Sequence, residues 1–250
     1  MDNKLFLKAR EQVLGAGTEP NGIGTLGEKT LHAVLKQYLE PERQYQEVPV
    51  GGFVADIKRD RRIIEIQTRS FDRLLKKLPE LLQEHDVTVV YPLPHRKTLS
   101  WIDPETGETT KARRSPKTGT PADAFRELYK LRPLFPHPGL TIHIMMIDLE
   151  EYRYLNGWSY DKKRGSIRCD RLPSQIAAEY MLCIPQDFAK LLPPLPKPFL
   201  VKDLMKAARI SQRAASCGVA LLRALGVIRQ CGTQGRAYCY ELAEEEENHG

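Results

Sequence analysis

A chain of 250 residues has room for one sizeable hydrophobic core and a small second domain. Its hydrophobic fraction of 41% and charged fraction of 28% are ordinary for a globular protein, and no apolar run approaches the roughly 20 residues of a membrane-spanning helix. The net charge of +6 hides an asymmetry: Glu241 to Glu247 holds five Glu and no Lys or Arg, so residues 1–240 carry +11 and favour a polyanionic partner.

The first ten residues mix charged and apolar side chains within a single turn, unlike a signal peptide, which makes the cytoplasm the default location. Cys169, Cys183, Cys217, Cys231 and Cys239 form no C-x-x-C pair and lie outside zinc-ligand spacing with the histidines, so they read as reduced, packed thiols.

In chain order, Leu5 to Leu14 has the period of a short amphipathic helix, and Gly15 to Gly24 is rich in turn residues. A second helix is predicted from Thr25 to Leu39, stopping before Pro41. Two strand-like runs follow, Gln46 to Asp56 and Arg62 to Thr68, joined by the charged turn Lys58-Arg59-Asp60-Arg61. Phe71 to Gln83 returns to helical period, and Val87 to Tyr91 is a continuous apolar run typical of a strand buried on both faces. Leu99 to Arg114 reads as a hairpin turning at Asp103-Pro104-Glu105-Thr106-Gly107. A helix over Pro121–Leu131 and a buried strand over Thr141–Leu149 come next. Glu150 to Arg171 is polar, aromatic and basic without a clear period, and the four prolines of Leu191 to Pro198 mark a linker.

The residues with chemistry in them lie on the first strand pair. Asp56 closes one strand, Glu65 lies inside the next, and Gln67 is two residues further on the same face. Two carboxylates converging at a sheet end make a hard-oxygen site suited to Mg²⁺, and a charged Glu within Ile63-Ile64-Glu65-Ile66 needs compensation. Other readings compete. Asp56 also suits a turn acid, and Glu65 a partner for Arg62 or Arg69. Glu28 completes the capping box Thr25-x-x-Glu28, yet it shares a stripe with Leu31, His32, Leu35 and Leu39 that aims it inward. His32 reads as a packed histidine or one beside the site.

Val54-Ala55-Asp56, an eight-residue gap and Glu65-Ile66-Gln67, preceded by Glu28 on a helix, resemble the PD-(D/E)XK nuclease signature. The element order from Thr25 to Tyr91 is similar to that superfamily's core. The resemblance implies an α/β fold with a restriction-endonuclease-like α-β-β-β-α-β core. It implies Mg²⁺ or Mn²⁺ held by Asp56 and Glu65, an accessory acid in Glu28, and Gln67 in the position of the water-orienting Lys. Ala55 and Gln67 depart from the motif; an amide positions water but supplies no ionic stabilisation.

Beyond the linker, Val201 to Ala208 and Gln212 to Leu225 are predicted helices about the turn Arg209-Ile210-Ser211, and Val227 to Cys231 and Ala237 to Leu242 are strands flanking Gly232 to Gly235. Helix, turn, helix and hairpin outline a winged helix. Residues 197–240 hold eight Lys or Arg against one acid, Asp203. Ser211 is placed to cap the second helix, with Gln212, Arg213 and Ser216 on its exposed first turns and Arg236 and Tyr238 on the wing. A winged helix used for protein contact is the alternative. Lys111, Arg113, Arg114 and Lys117 form a second basic run on the hairpin that carries Trp101, and Lys162, Lys163, Arg164 and Arg168 a third; each suits a solvated face or a phosphate-tracking channel.

The sequence thus divides into a nuclease-like domain with a basic insertion over residues 1–193, a smaller winged-helix domain over 197–243, and an acidic tail over 244–250. The expected activity is metal-dependent hydrolysis of DNA phosphodiester bonds, duplex DNA being the expected partner, with a homodimer open and no membrane involved. The alternative is a non-catalytic DNA-binding regulator built on a nuclease-like domain.

Overall fold

The computed structural model describes residues 2–15, 30–158 and 167–243. It is a mixed α/β structure with one large sheet and one small one. No helix among the described residues is long and apolar enough to cross a membrane. The chain separates into two compact units, the first made of Met1–Thr68, Val90–Gly119 and Met145–Glu179, the second of Arg69–Val89, Thr120–Ile144 and Tyr180–Gly250.

In the first unit, helices α1 (Asn3–Gly15) and α2 (Thr30–Leu39) precede three short strands, β1 (Gln46–Val50), β2 (Phe53–Arg59) and β3 (Arg62–Ile66). Gln46 to Asp56, expected as one strand, is two. Gly51 and Gly52 both take positive φ (53° and 82°) and fold the run into a tight hairpin, with Val50 opposite Phe53. Asp56 therefore lies within β2, and the charged turn shrinks to Asp60-Arg61, with Arg59 opposite Arg62.

The large sheet is completed by three long strands, β4 (Asp86–Ile102), β6 (Leu140–Tyr154) and β7 (Arg168–Leu182), and by the two-residue β5 (Arg113–Arg114). The sheet order is β1-β2-β3-β4-β6-β7, with β5 on β4. β4 runs well past Tyr91, where the apolar run ends. By the two-residue alternation, Pro92 and Pro94 keep to the side of Val90, whose carbonyl accepts the Gln67 amide (2.8 Å). Their missing amides thus face an edge that β3 has vacated at Ile66. β7 has no counterpart among the predicted elements; its Pro173 is tolerated because β7 is the edge strand. The core of this unit joins Phe6, Leu31, Val34 and Leu35 from the helices to Ile57, Ile66, Met145, Ile147 and Ile176 from the sheet.

The second unit contains α3 (Leu74–Leu81), the four-residue helix α4 (Phe125–Leu128), α5 (Val201–Ala208), α6 (Gln212–Ala224) and the hairpin β8 (Ile228–Gln234) with β9 (Ala237–Leu242). Pro121 to Leu131, predicted as one helix, is mostly 3-10 turns around α4. Between α5 and α6 the chain reverses at Arg209, held in the left-handed region at φ 54°. The side chain of Ser211 accepts the Ala214 amide (3.2 Å) and caps α6. Phe199 exchanges two 2.8 Å backbone hydrogen bonds with Tyr240, laying one extended residue beside β9.

Candidate functional site

Along β2 the buried residues alternate: Ala55 (0% exposed) and Ile57 (2%) point to the core, so Val54, Asp56 and Lys58 take the opposite face. On β3, Ile66 belongs to the core cluster and Ile64 packs against it, which turns Glu65 away from them. The β2–β3 ladder pairs Ile57 with Ile64, and one further step of that register sets Asp56 across from Glu65. The ladder stops there. Instead of continuing it, the Ile66 amide donates to Asp56 Oδ2 (2.7 Å). The Nε2 of His32, from α2, lies 3.3 Å from the same oxygen. Glu65 is buried and Asp56 half-buried; Gln67, two residues beyond Glu65 and on its face by alternation, is half-buried as well. Alternation alone assigns Asp56 and Glu65 to one side of the strand pair, whereas the side-chain contact seen at Asp56 Oδ2 is with His32 of α2. Glu28 lies outside the described residues.

This donor set can be tested against the ion the sequence implies. Among the described residues, no three His, Cys, Asp or Glu side chains gather as a metal-binding group. Two hard carboxylates on neighbouring strands do fit Mg²⁺ or Mn²⁺, since Mg²⁺ typically takes one or two carboxylates and completes its shell with water and substrate phosphate.

The second set of predicted residues lies on α6 and its hairpin. Ser211, Gln212, Arg213 and Ser216 are exposed, whereas Ala215 (0%), Val219 (4%) and Leu222 (0%) are buried on the other side of the helix. Arg236 and Tyr238 are exposed on the hairpin. Cys169, Cys183, Cys217, Cys231 and Cys239 form no disulfide, but the expected packing holds fully only for Cys239: Cys169 and Cys217 are half-buried and Cys183 and Cys231 exposed. On β5, Arg113 and Arg114 are exposed opposite Leu99 and Thr98, and the Arg113 guanidinium stands 5.6 Å from the centre of the Trp101 ring. The acidic run 244–250, like Lys162, Lys163 and Arg164, lies outside the described residues.

Sequence reasoning missed a second polar centre, where β4, β6 and β7 meet. His95 Nδ1 is 2.8 Å from Asp148 Oδ1, which also accepts the Arg96 amide (3.0 Å), and Gln175 donates to Asp148 Oδ2 (2.7 Å). Burial alone would raise the Asp148 carboxyl; the hydrogen bonds from Gln175 and His95, with the charge of His95, bring it below the usual carboxylate range. An ionised Asp148 makes His95 Nδ1 the donor of this contact. These residues are far apart in sequence and share no motif, so only the strand order β4-β6-β7 reveals them.

No solved structure matches the chain. An uncharacterized protein of Treponema pallidum (strain Nichols) is 38% identical over 129 residues, 51% of each chain, so the chain spans about half the length of this curated relative. The matched family profile covers residues 29–183, which takes in every strand of the large sheet. With more than half of its length matched, this protein belongs to the family described as a domain of unknown function, DUF8091.

Proposed function

We propose that the protein is a metal-dependent DNA endonuclease, with a nuclease-like domain over residues 1–193 and a winged-helix DNA-binding domain over 197–243. One observation carries the reading. The elements α2-β1-β2-β3-α3-β4 follow the restriction-endonuclease-like order, with β1-β2-β3-β4 as sheet neighbours, and Asp56 and Glu65 sit at the point where β2 and β3 part. Where the ladder stops, the Asp56 carboxylate takes the Ile66 amide in place of a ladder partner, which leaves a polar group at the end of the strand pair.

In this reading Asp56 and Glu65 would hold Mg²⁺ or Mn²⁺. When bound, such an ion lowers the pKa of a water molecule and stabilises charge developing on a phosphate. The chain's own residues do the positioning. The Ile66 amide and His32 hold Asp56 Oδ2 in place, and burial of Glu65 within β3 fixes its direction. The Gln67 side-chain amide would hold the attacking water by a hydrogen bond and keep it oriented. The exposed first turns of α6 would enter the major groove with Gln212, Arg213 and Ser216, while Arg236 and Tyr238 on the hairpin meet the backbone. The pairing of Phe199 with Tyr240 supports the winged-helix reading, because it ties the segment before α5 to the hairpin after α6.

Gln67 favours a second reading, a DNA-binding regulator that has lost cleavage, since the residue brings no positive charge to the phosphate. Incubating the full chain with plasmid and branched DNA at graded Mg²⁺ and Mn²⁺, beside Asp56→Ala, separates the two. The endonuclease cuts only with the ion and only with Asp56; the regulator binds and leaves DNA intact.

A further inference from the structure

Glu151 on β6 is almost wholly buried (1% exposed), yet it is ringed by cations from three neighbouring strands. Arg153 on β6 donates through Nε at 2.8 Å and Nη2 at 2.5 Å, Lys97 Nζ on β4 is at 3.6 Å and Arg168 Nε on β7 at 3.7 Å. Burial alone would raise the Glu151 carboxyl, but Arg153, Lys97 and Arg168 hold it below its ordinary range, so it stays an anion. One buried carboxylate cannot neutralise three cations. Their side chains remain partly open, 24% for Lys97, 26% for Arg153 and 40% for Arg168. Alternation along β4 puts Trp101 on the face of Lys97 and Leu99. Arg113 on β5, paired with Leu99, joins that face and lies over the Trp101 ring.

The sheet order β5-β4-β6-β7 therefore lines Arg113, Lys97, Arg153 and Arg168 across four adjacent strands. With strands about 4.8 Å apart, the row runs for roughly 14 Å. A buried anion that preorganises several half-open cations is a costly way to stabilise a sheet, because desolvated ion pairs contribute little net stability. It is an effective way to hold cations rigid for a second anion. Adjacent Arg114, opposite Thr98, adds to the positive field.

We propose that this row is a binding site for the phosphodiester backbone of DNA, with Glu151 as the positioning residue that holds it in register. The proposal deepens the endonuclease reading by giving its nuclease-like domain a DNA contact separate from α6. It also has its own readout, since both tryptophans of the chain, Trp101 and Trp158, lie in the same unit as the row and none lies within residues 197–243.

The test is titration of the full chain with a short DNA duplex in EDTA, which removes any dependence on cleavage, followed by tryptophan fluorescence over a range of salt. Duplex should quench the fluorescence, and the observed affinity should fall with salt. Arg113→Ala, which leaves the Glu151 cluster intact, should shallow the slope of log K against log salt by about 0.9, the value of one phosphate contact. Lys97→Gln with Arg168→Gln should shallow it by about 1.8 on the same basis, and Arg168→Lys should restore its share. Glu151→Gln should weaken binding although it makes the protein more positive, an outcome that simple charge attraction does not produce. A thermal melt of each variant identifies any that fail to fold, and Arg113→Ala then decides the matter. Absence of duplex binding by wild type at low salt would overturn the proposal. So would slopes unchanged in Arg113→Ala and the double variant, or quenching by anionic phospholipid vesicles in place of DNA. Failure of plasmid cleavage in Mg²⁺ with binding in EDTA intact would sink the endonuclease reading alone.

Discussion

Replacing Gly218 with Ala should destabilise the second unit, although helix propensity points the other way. Gly218 lies inside α6, where Ala is favoured over Gly by about 1 kcal/mol. A Cβ at this position, however, would stand 2.6 Å from Cδ2, 2.7 Å from Cγ and 3.0 Å from Cε2 of Phe125. These are contacts with three carbons of one ring, and Phe125 is fully buried, so the ring has no open space into which to swing. Overpacking of this kind costs about 1–3 kcal/mol. A broadside clash with an immobile ring belongs in the upper half of that range, about 2–3 kcal/mol, so after the propensity gain a net loss of about 1–2 kcal/mol remains. For a chain of this size that lowers Tm by roughly 2–8 °C. Calorimetry or thermal circular dichroism on the full chain measures it, and Phe125→Leu made in both backgrounds closes a double-mutant cycle. The cycle should show Gly218→Ala losing most of its cost once the ring is gone. A Tm raised by Gly218→Ala in the presence of Phe125 would refute the packing of α6 against Phe125.

Three further outcomes follow, the first from the structure and the other two from the proposed function. Asp148 and Glu151 both have folded-state carboxyls below their unfolded values. Their contribution to stability is whole above about pH 5 and is lost as pH falls through those lowered values; Glu151→Gln should flatten the acid limb of a stability-against-pH curve measured by urea titration. Arg213→Ala should weaken duplex binding in fluorescence anisotropy and shallow its salt slope by about 0.9, with no change in Tm, because the residue is exposed on α6. Gln67→Lys should keep or raise the rate of plasmid cleavage and Gln67→Ala should lower it, in both cases with Mn²⁺ affinity retained, since Asp56 and Glu65 remain to hold the ion.

The C-terminal helices were readable in the sequence because each boundary had a local cause. Val201 to Ala208 is predicted and observed with the same ends, Ser211 supplies the cap, and the apolar spacing of Val219 and Leu222 fixes which side of α6 is buried. That Glu65 turns away from Ile64 and Ile66 was equally readable, since alternation on a strand needs no tertiary knowledge; Gln67 lies one residue past the end of β3. Asp56 was harder. Following one strand pattern through Gly51-Gly52 makes Asp56 its last residue, whereas two consecutive glycines with positive φ make a hairpin turn and set Asp56 inside β2. β7 escaped because its first residues lie in the polar, aperiodic run Glu150 to Arg171; its Pro173 is compatible with a strand only because β7 is a sheet edge. The His95–Asp148 pair and the Glu151 cluster were illegible for a different reason. Each is assembled from separate strands, and no local pattern reports which strands become neighbours.

The claim that Asp56 and Glu65 form the catalytic centre is tested most directly by single-turnover cleavage of plasmid DNA in Mg²⁺ and in Mn²⁺. Wild type, Asp56→Ala, Glu65→Ala and the double variant are compared at equal DNA occupancy. The account predicts nicking or linearisation by wild type, its complete loss in EDTA, and its loss in each variant while DNA binding in EDTA is retained. Cleavage that survives in the double variant would contradict the account by placing the chemistry elsewhere. A wild type that binds DNA and never cuts it would contradict the account by leaving the carboxylate pair without a reaction.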